Sequence, residues 1–331
     1  MSYWQEKFKI GKQEYSRFIG GPLDGITDSP FRKLVREFSP NNLQYTEMRH
    51  VACVAHDKGG TKALVFDQIE RPLNYQVAAN DVTYIAKACE KILACGVDAV
   101  DLNVGCPAKN VIRSGGGSSL MAEPARLKLI LLELRRCLPN VAFTVKIRAG
   151  FKDKNAVEIA KLIQDCGADA LAIHPRLQTE HFMGRPDYQI AAQVKQALTI
   201  PVIFSGDVVN FKMAKMTYEA TGVDAFLIGR GIWGKPWKLL ELEKHANGQE
   251  FTVSLETVMH FAIRHLDLML DYYGDAGLYN FRKHLPFYLK GFEQALNLRK
   301  KLVVENSANA VKNNLVMILE QAREFGSARS I

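Results

Sequence analysis

The chain has 331 residues, 47% hydrophobic and 24% charged, a globular balance with room for one α/β barrel of roughly 250 residues and a smaller second domain. Its 43 lysines and arginines exceed its 35 aspartates and glutamates by 8, an excess that favours a polyanionic partner. Six cysteines without CxxC or metal-ligand spacing, no apolar leader and no membrane-length apolar segment argue against disulfide scaffolds, zinc sites and membrane spans, so a metal-free cytoplasmic protein is expected, and a monomer is the expected state.

In chain order, Phe8–Lys12 reads as a small hairpin across a barrel floor. Apolar, β-rich runs then predict strands at Phe18–Leu23, Leu43–Met48, Leu73–Ala78, Ala99–Asn103, Phe143–Ile147, Ala170–His174, Val202–Ser205 and Ala225–Ile228. Amphipathic patterns predict helices in most of the gaps, at Val82–Cys95, Arg126–Cys137, Ala156–Cys166, Ile190–Ala197 and Phe211–Thr221. A Gly-X-Asp step closes three of them at Gly96, Gly167 and Gly222, as a left-handed helix end requires. Strict alternation with eight strands predicts a (β/α)8 TIM barrel over residues 1–244. Beyond it, residues 245–331 show only helical patterns, with breaks near Tyr273–Gly277 and Asn306–Ser307, and predict a small all-helical C-terminal domain.

Chemistry gathers where the strands end. The first runs into Gly21-Pro22-Leu23-Asp24, a fixed turn suited to lying against a flat ring. The third carries Gln76, and the fourth ends in Asp101 and Asn103, then Gly105-Cys106-Pro107. Lys146 interrupts the apolar fifth strand, and a lysine is seldom buried without a partner, so an anionic ligand is indicated. The sixth ends in His174, and the last two end in Ser205-Gly206-Asp207 and Gly229-Arg230-Gly231, where barrels commonly bind phosphate. A phosphate grip, a flat ring across the mouth and a thiol beside it describe a flavin mononucleotide barrel. The run Gly115-Gly116-Gly117 lacks the Gly-Lys-Ser/Thr ending of a nucleotide-triphosphatase loop and reads instead as a flexible loop carrying Cys106.

Four segments carry a resemblance over nearly the whole chain: Gly25–Arg32, Asp101–Pro107, Val145–Gly150 and Ile228–Gly231. With them the chain resembles the tRNA-dihydrouridine synthases, flavoenzymes that reduce uridines of transfer RNA. The resemblance implies FMN as cofactor, NADPH as reductant and Cys106 as general acid. It also implies that Pro22, Leu23, Asp24, Gln76, Lys146, His174, Gly206, Asp207, Gly229 and Arg230 surround the flavin, with Asn103 and Ser205 beside them. In that scheme hydride passes from reduced FMN to C6 of an extruded uracil while Cys106 protonates C5. Lys109, Arg113 and Arg176 near the mouth, and Arg282, Lys283 and Lys290 in the tail, are expected to face tRNA. The chain departs from the family at Gly21-Pro22-Leu23 (usually Ala-Pro-Met), Ser205-Gly206-Asp207 (usually Asn-Gly-Asp), His174-Pro175-Arg176-Leu177 (usually His-Gly-Arg-Thr) and Gln76-Val77-Ala78-Ala79 (usually Gln-Leu/Ile-x-Gly). These changes touch ring packing and small hydrogen bonds. Tail motifs akin to the bacterial B and C branches point to a uridine in the 5′ part of the D-loop. The alternatives are a flavin enzyme of a free pyrimidine, like a dihydroorotate dehydrogenase, and a tRNA-binding protein without catalysis.

Overall fold

Runs such as 170–173 and Ala225–Ile228 are apolar on both faces, which suits strands buried inside a barrel and beneath helices. The structure, a computed structural model, describes residues 3–59, 62–290 and 295–324. Eight parallel strands close on themselves: Phe18–Gly20, Gln44–Tyr45, Leu73–Ala78, Ala99–Val104, Ala142–Gly150, Ala170–Leu177, Val202–Ser205 and Ala225–Ile228. Closure runs through Gln44 opposite Leu73 on one side and Ile228 opposite Gly20 on the other. The fifth and sixth strands run longer than the sequence pattern predicts, and the first two are shorter. An extra two-residue strand, Arg49–His50, continues beside the third.

Each Gly-X-Asp step does two jobs. Gly96, Gly167 and Gly222 take positive φ to end a helix. Two residues on, Asp98, Asp169 and Asp224 each accept the backbone N–H that opens the neighbouring strand, from Leu73, Phe143 and Val202, all at 2.7 Å. Arg71, Arg135 and Lys195 pair with these carboxylates, so one motif fixes strand starts three times around the barrel. The hairpin Phe8–Ile10 and Gln13–Tyr15 puts Phe8, Ile10 and Tyr15 into a cluster with Ile19, Tyr45, Ala172, Ile203 and Ala225. This plugs the floor and leaves ligand access to the other end.

The described residues form two compact units, Met1–Leu23 with Asn41–Gly231, and Asp24–Pro40 with Ile232–Ile331. The second therefore starts before residue 245 and recruits a segment that lies between the first two strands. Its reason is packing: helix Ser29–Phe38 buries Phe31, Leu34 and Val35, and Phe38 meets Phe261 at 4.5 Å. Asp28 caps this helix by accepting from the Phe31 N–H at 3.1 Å. The long helix Leu255–Tyr273, capped by Ser254, supplies Met259, Ala262, Leu266 and Met269 to the same core. Shorter helices at Ala276–Phe281, Leu285–Tyr288 and Ala295–Leu302, and a last one at Ala308–Glu324, complete the unit. The tail is more broken than its sequence pattern predicts. No helix among the described residues is long and apolar enough to cross a membrane.

Candidate active site

Strand register decides which polar side chains can meet. Gln76 stands opposite Asp101, Asp101 opposite Thr144, Asn103 opposite Lys146, and Arg148 opposite His174. Their parity within each strand places them on the inner face, where a period-2 pattern lines a barrel mouth.

Asp101 is the hub. It is fully buried and accepts from Thr144 Oγ1 at 2.6 Å and from Gln76 Nε2 at 2.8 Å, while Asn74 donates to Thr144 at 2.9 Å. Burial pushes its carboxyl up to about 6, against the pull of those hydrogen bonds and of Lys146. Gln76 in turn accepts from Asn103 Nδ2 at 2.9 Å. The Asn103 carbonyl oxygen is thereby aimed at the backbone N–H groups of Gly105 (3.0 Å) and Cys106 (2.8 Å). One chain of hydrogen bonds thus runs from the barrel interior to the peptide that carries the thiol.

That peptide is held from the other side as well. Ser118 donates through its backbone N and its hydroxyl to the Cys106 carbonyl, at 3.1 and 2.9 Å, and Arg148 Nε donates to the Gly105 carbonyl at 2.8 Å. The glycine run is therefore not a flexible loop, contrary to the expectation from sequence. Gly117–Ala122 forms a short 3-10 helix with Gly117 to Met121 buried. Gly117 has φ +58°, and a Cβ there would lie 2.9 Å from the Cys106 carbonyl oxygen and from Val111. Only glycine lets this segment pack against the cysteine.

Lys146 keeps some surface at the mouth and has no hydrogen-bond or ion-pair partner among the described residues. Burial, then the charge of Arg148, brings its ammonium down to about 8, while Asp101 and Cys106 act in the opposite direction. His174 is driven down to about 2 by burial and by Lys146, Arg148, Arg176 and Arg230, so it is a neutral imidazole. Its Nε2 lies 3.1 Å from Arg176 Nη1. Because arginine only donates, Nε2 accepts and the ring proton sits on Nδ1.

At the last strands, Asp207 takes φ +53° and bridges Arg176 and Arg230. Burial opposes its charge, but the two guanidiniums outweigh burial and hold it below the usual carboxylate range. Gly229 is half-buried and uncrowded: a Cβ there would make only an ordinary contact with Leu23, at 3.9 Å. Pro22, Leu23, Ser205 and Gly206 are half-buried here, while Asp24 and Arg230 are exposed.

The residues expected to face RNA separate into two groups. Lys109 and Arg113 are exposed on a short helix just after Cys106, and Lys283 and Lys290 are exposed in the second unit. Arg176 contradicts the expectation: it is 1% exposed and donates to the carbonyls of Met183 (3.0 Å) and Gly184 (2.7 Å). It is a buried clamp on the loop after the sixth strand. Arg282 is half-buried and committed to the Glu305 carbonyl and to Asn306. Arg148, missed among the site residues, is the other buried clamp, donating to Leu177 and His181. Its signal was its parity with Lys146 in the same strand. Thr144 shares that signal, and Asn74 has the matching one, its parity with Gln76 in the third strand.

The dihydrouridine synthase (Dus) family model matches residues 19–323. A probable tRNA-dihydrouridine synthase 1 from Synechocystis sp. is 35% identical over 325 residues, covering 97% of this chain and 91% of that protein. The tRNA-dihydrouridine synthase B of Pseudomonas aeruginosa is 32% identical over 289 residues, covering 86% and 87%. Among solved structures, an old yellow enzyme homologue from Zymomonas mobilis matches with a TM-score of 0.56 at 12% identity, over 74% of this chain and 93% of that one. That likeness concerns the barrel fold. The family match and the two relatives span the barrel and most of the helical unit, and the chain belongs to the dihydrouridine synthase family.

Proposed function

We propose that Cys106 is the acid of a flavin-dependent reduction of a tRNA uridine, with Lys146 as the fixed positive charge of the flavin site. The protein is a tRNA-dihydrouridine synthase that uses FMN and is reduced by NADPH.

The donor set of the mouth suits FMN. Lys146, Arg148, Arg176 and Arg230 surround His174, and the carboxylates near them are Asp101 and Glu180, already hydrogen-bonded, and Asp207, already shared by two arginines. A Lys146 ammonium without a partner among the described residues, and an exposed Arg230 beside the uncrowded backbone at Gly229, match a ligand that carries a phosphate at one end and gains negative charge at the other. Gly206, Asp207, Gly229 and Arg230 would hold the phosphate end. Gln76, Asn103, Lys146 and His174 would hold the ring, with Pro22, Leu23, Asp24 and Ser205 around it. FMN held by these residues would supply the hydride chemistry, with NADPH as the source of hydride and C6 of the uracil as its destination.

The chain's own residues do the rest. Cys106 donates the proton that C5 requires, and the Asn103, Ser118 and Arg148 hydrogen bonds fix where its peptide stands. Lys146 favours the more negative state of the site, an advantage largest after reduction. Neutral His174 can donate from Nδ1 without adding to an already cationic mouth. Uracil inside a stacked RNA cannot reach such a mouth, so the nucleotide has to be extruded from the tRNA. Lys109, Arg113, Lys283 and Lys290 supply phosphate contacts, with a 5′-side D-loop uridine as target. We infer that it works as a cytoplasmic monomer, a setting in keeping with six free cysteines.

The observation that carries this reading is the hydrogen-bonded path from Asp101 through Gln76 and Asn103 to Cys106, alongside an unpartnered Lys146. Cys106→Ala tests it. The variant should retain flavin and its reduction by NADPH, but lose dihydrouridine formation by about 10²–10⁴-fold. Near-normal turnover on tRNA would refute the assignment.

A further inference from the structure

Within the helical unit lies a cavity of about 320 Å³ lined by aromatic rings and lysines, among them Trp237, Phe251, Phe287, Lys235 and Lys290. Its size lies at the lower end of small-ligand pockets. Phe287 is stiffened from behind by Trp233, whose ring stacks on it at 4.5 Å. Trp237 is 6% exposed and belongs to the core of the unit, so the wall it forms is rigid.

Cations outnumber the carboxylate at this cavity. Glu241, the lining carboxylate, is engaged by Lys238. Neither Lys235 nor Lys290 has a hydrogen-bond or ion-pair partner from its side chain among the described residues, although Lys235 is half-buried. Burial, then the neighbouring charge of Lys238, lowers the Lys235 ammonium; Glu241 pulls the other way, and Lys290 adds a smaller push down. Like charges gathered at a half-closed apolar cavity disfavour the empty state, and an anion between them would relieve it.

Rings for a planar apolar group and two free ammoniums for an anion are together the chemistry of a nucleotide. We propose that this cavity receives an unpaired nucleotide of the tRNA, its base among Trp237, Phe251 and Phe287 and its phosphate at Lys235 and Lys290. This rests on tRNA being the substrate, and it adds an anchor in the helical unit that is separate from the barrel mouth.

Two variants attack the cavity independently. Lys235→Met removes a cation that would meet the anion, and Thr252→Trp, at an exposed position on the lining, fills the space. Each should raise the KM for tRNA roughly ten-fold, the range expected of one base stack, and leave kcat within about two-fold. Lys212→Met with Lys215→Met, on an exposed barrel helix, removes twice that charge and should leave KM within about two-fold of wild type. An unchanged KM in Thr252→Trp, or an equal rise in the Lys212/Lys215 control, would overturn the proposal. Uridine and adenosine monophosphate, titrated by tryptophan fluorescence, separate the two sources of a nucleotide. If filling the cavity abolished tight monophosphate binding yet left the KM for tRNA unchanged, the cavity would belong to free nucleotides and the proposal would fail. Should wild-type enzyme form no dihydrouridine at all, the functional reading itself fails, and tRNA affinity in the same variants still decides the cavity.

Discussion

Replacing Lys146 with methionine should make the flavin-stripped protein more stable near neutral pH while damaging its chemistry. The ammonium titrates at about 8 in the folded chain against 10.5 when free, because burial and Arg148 disfavour its charge. Between those values the unfolded chain binds the extra proton, so the lysine's contribution to stability rises with pH from 8 towards 10.5 and is at its worst below 8. The full difference corresponds to about 3 kcal/mol at most. Residual exposure of the side chain and the loss of its pull on Asp101 reduce the gain to about 1–2 kcal/mol. Methionine matches the stem of the lysine and forfeits no hydrogen bond, since none is made among the described residues. Urea unfolding of wild type and Lys146→Met, from pH 7.5 to 10, reads the effect directly. The variant should be more stable at pH 7.5, and the gap should narrow as pH rises. A variant that is less stable at pH 7.5, with a gap independent of pH, would refute the reasoning.

Three other outcomes follow from the same geometry. With FMN bound, Lys146→Met should slow reduction by NADPH more than it weakens flavin affinity, which stopped-flow and equilibrium titration compare. Gly117→Ala should destabilise the chain by about 1–3 kcal/mol from its positive φ alone, and should lower turnover by shifting the Cys106 peptide; a variant with wild-type melting and kcat would contradict the packing described for that glycine. Affinity for tRNA should fall steeply with salt, and Lys109→Ala with Arg113→Ala should lower the log–log slope by about 0.7–0.9 for each phosphate that these side chains neutralise, while unchanged slopes would remove that helix from the interface.

The barrel was legible because its signals are local. Eight apolar runs separated by amphipathic helices announce the strands, and the three Gly-X-Asp steps mark where helices end and strands begin. Asp101, Asn103, Gln76, Lys146 and His174 were also legible, as polar residues in strands that are otherwise apolar. What escaped depends on register and tertiary packing. Arg148 and Arg176 look like surface cations in a line of text, yet the loop after the sixth strand folds back over both and uses their guanidiniums to satisfy its own carbonyls. Gly115–Gly117 looked mobile because glycine runs often are, whereas at Gly117 the need is steric fit against Cys106. The unit boundary was misplaced because helix Ser29–Phe38 is an early segment whose apolar face finds its partners more than two hundred residues later.

The central claim is that this chain reduces a tRNA uridine with Cys106 as the acid. Its most direct test incubates dihydrouridine-free tRNA with FMN, NADPH and either wild-type or Cys106→Ala protein, then maps dihydrouridine by mass spectrometry of RNA fragments. Dihydrouridine is expected at a 5′-side D-loop position with wild type and almost none with the variant, although both proteins consume NADPH. No dihydrouridine with wild type, or equal amounts with both proteins, would contradict it.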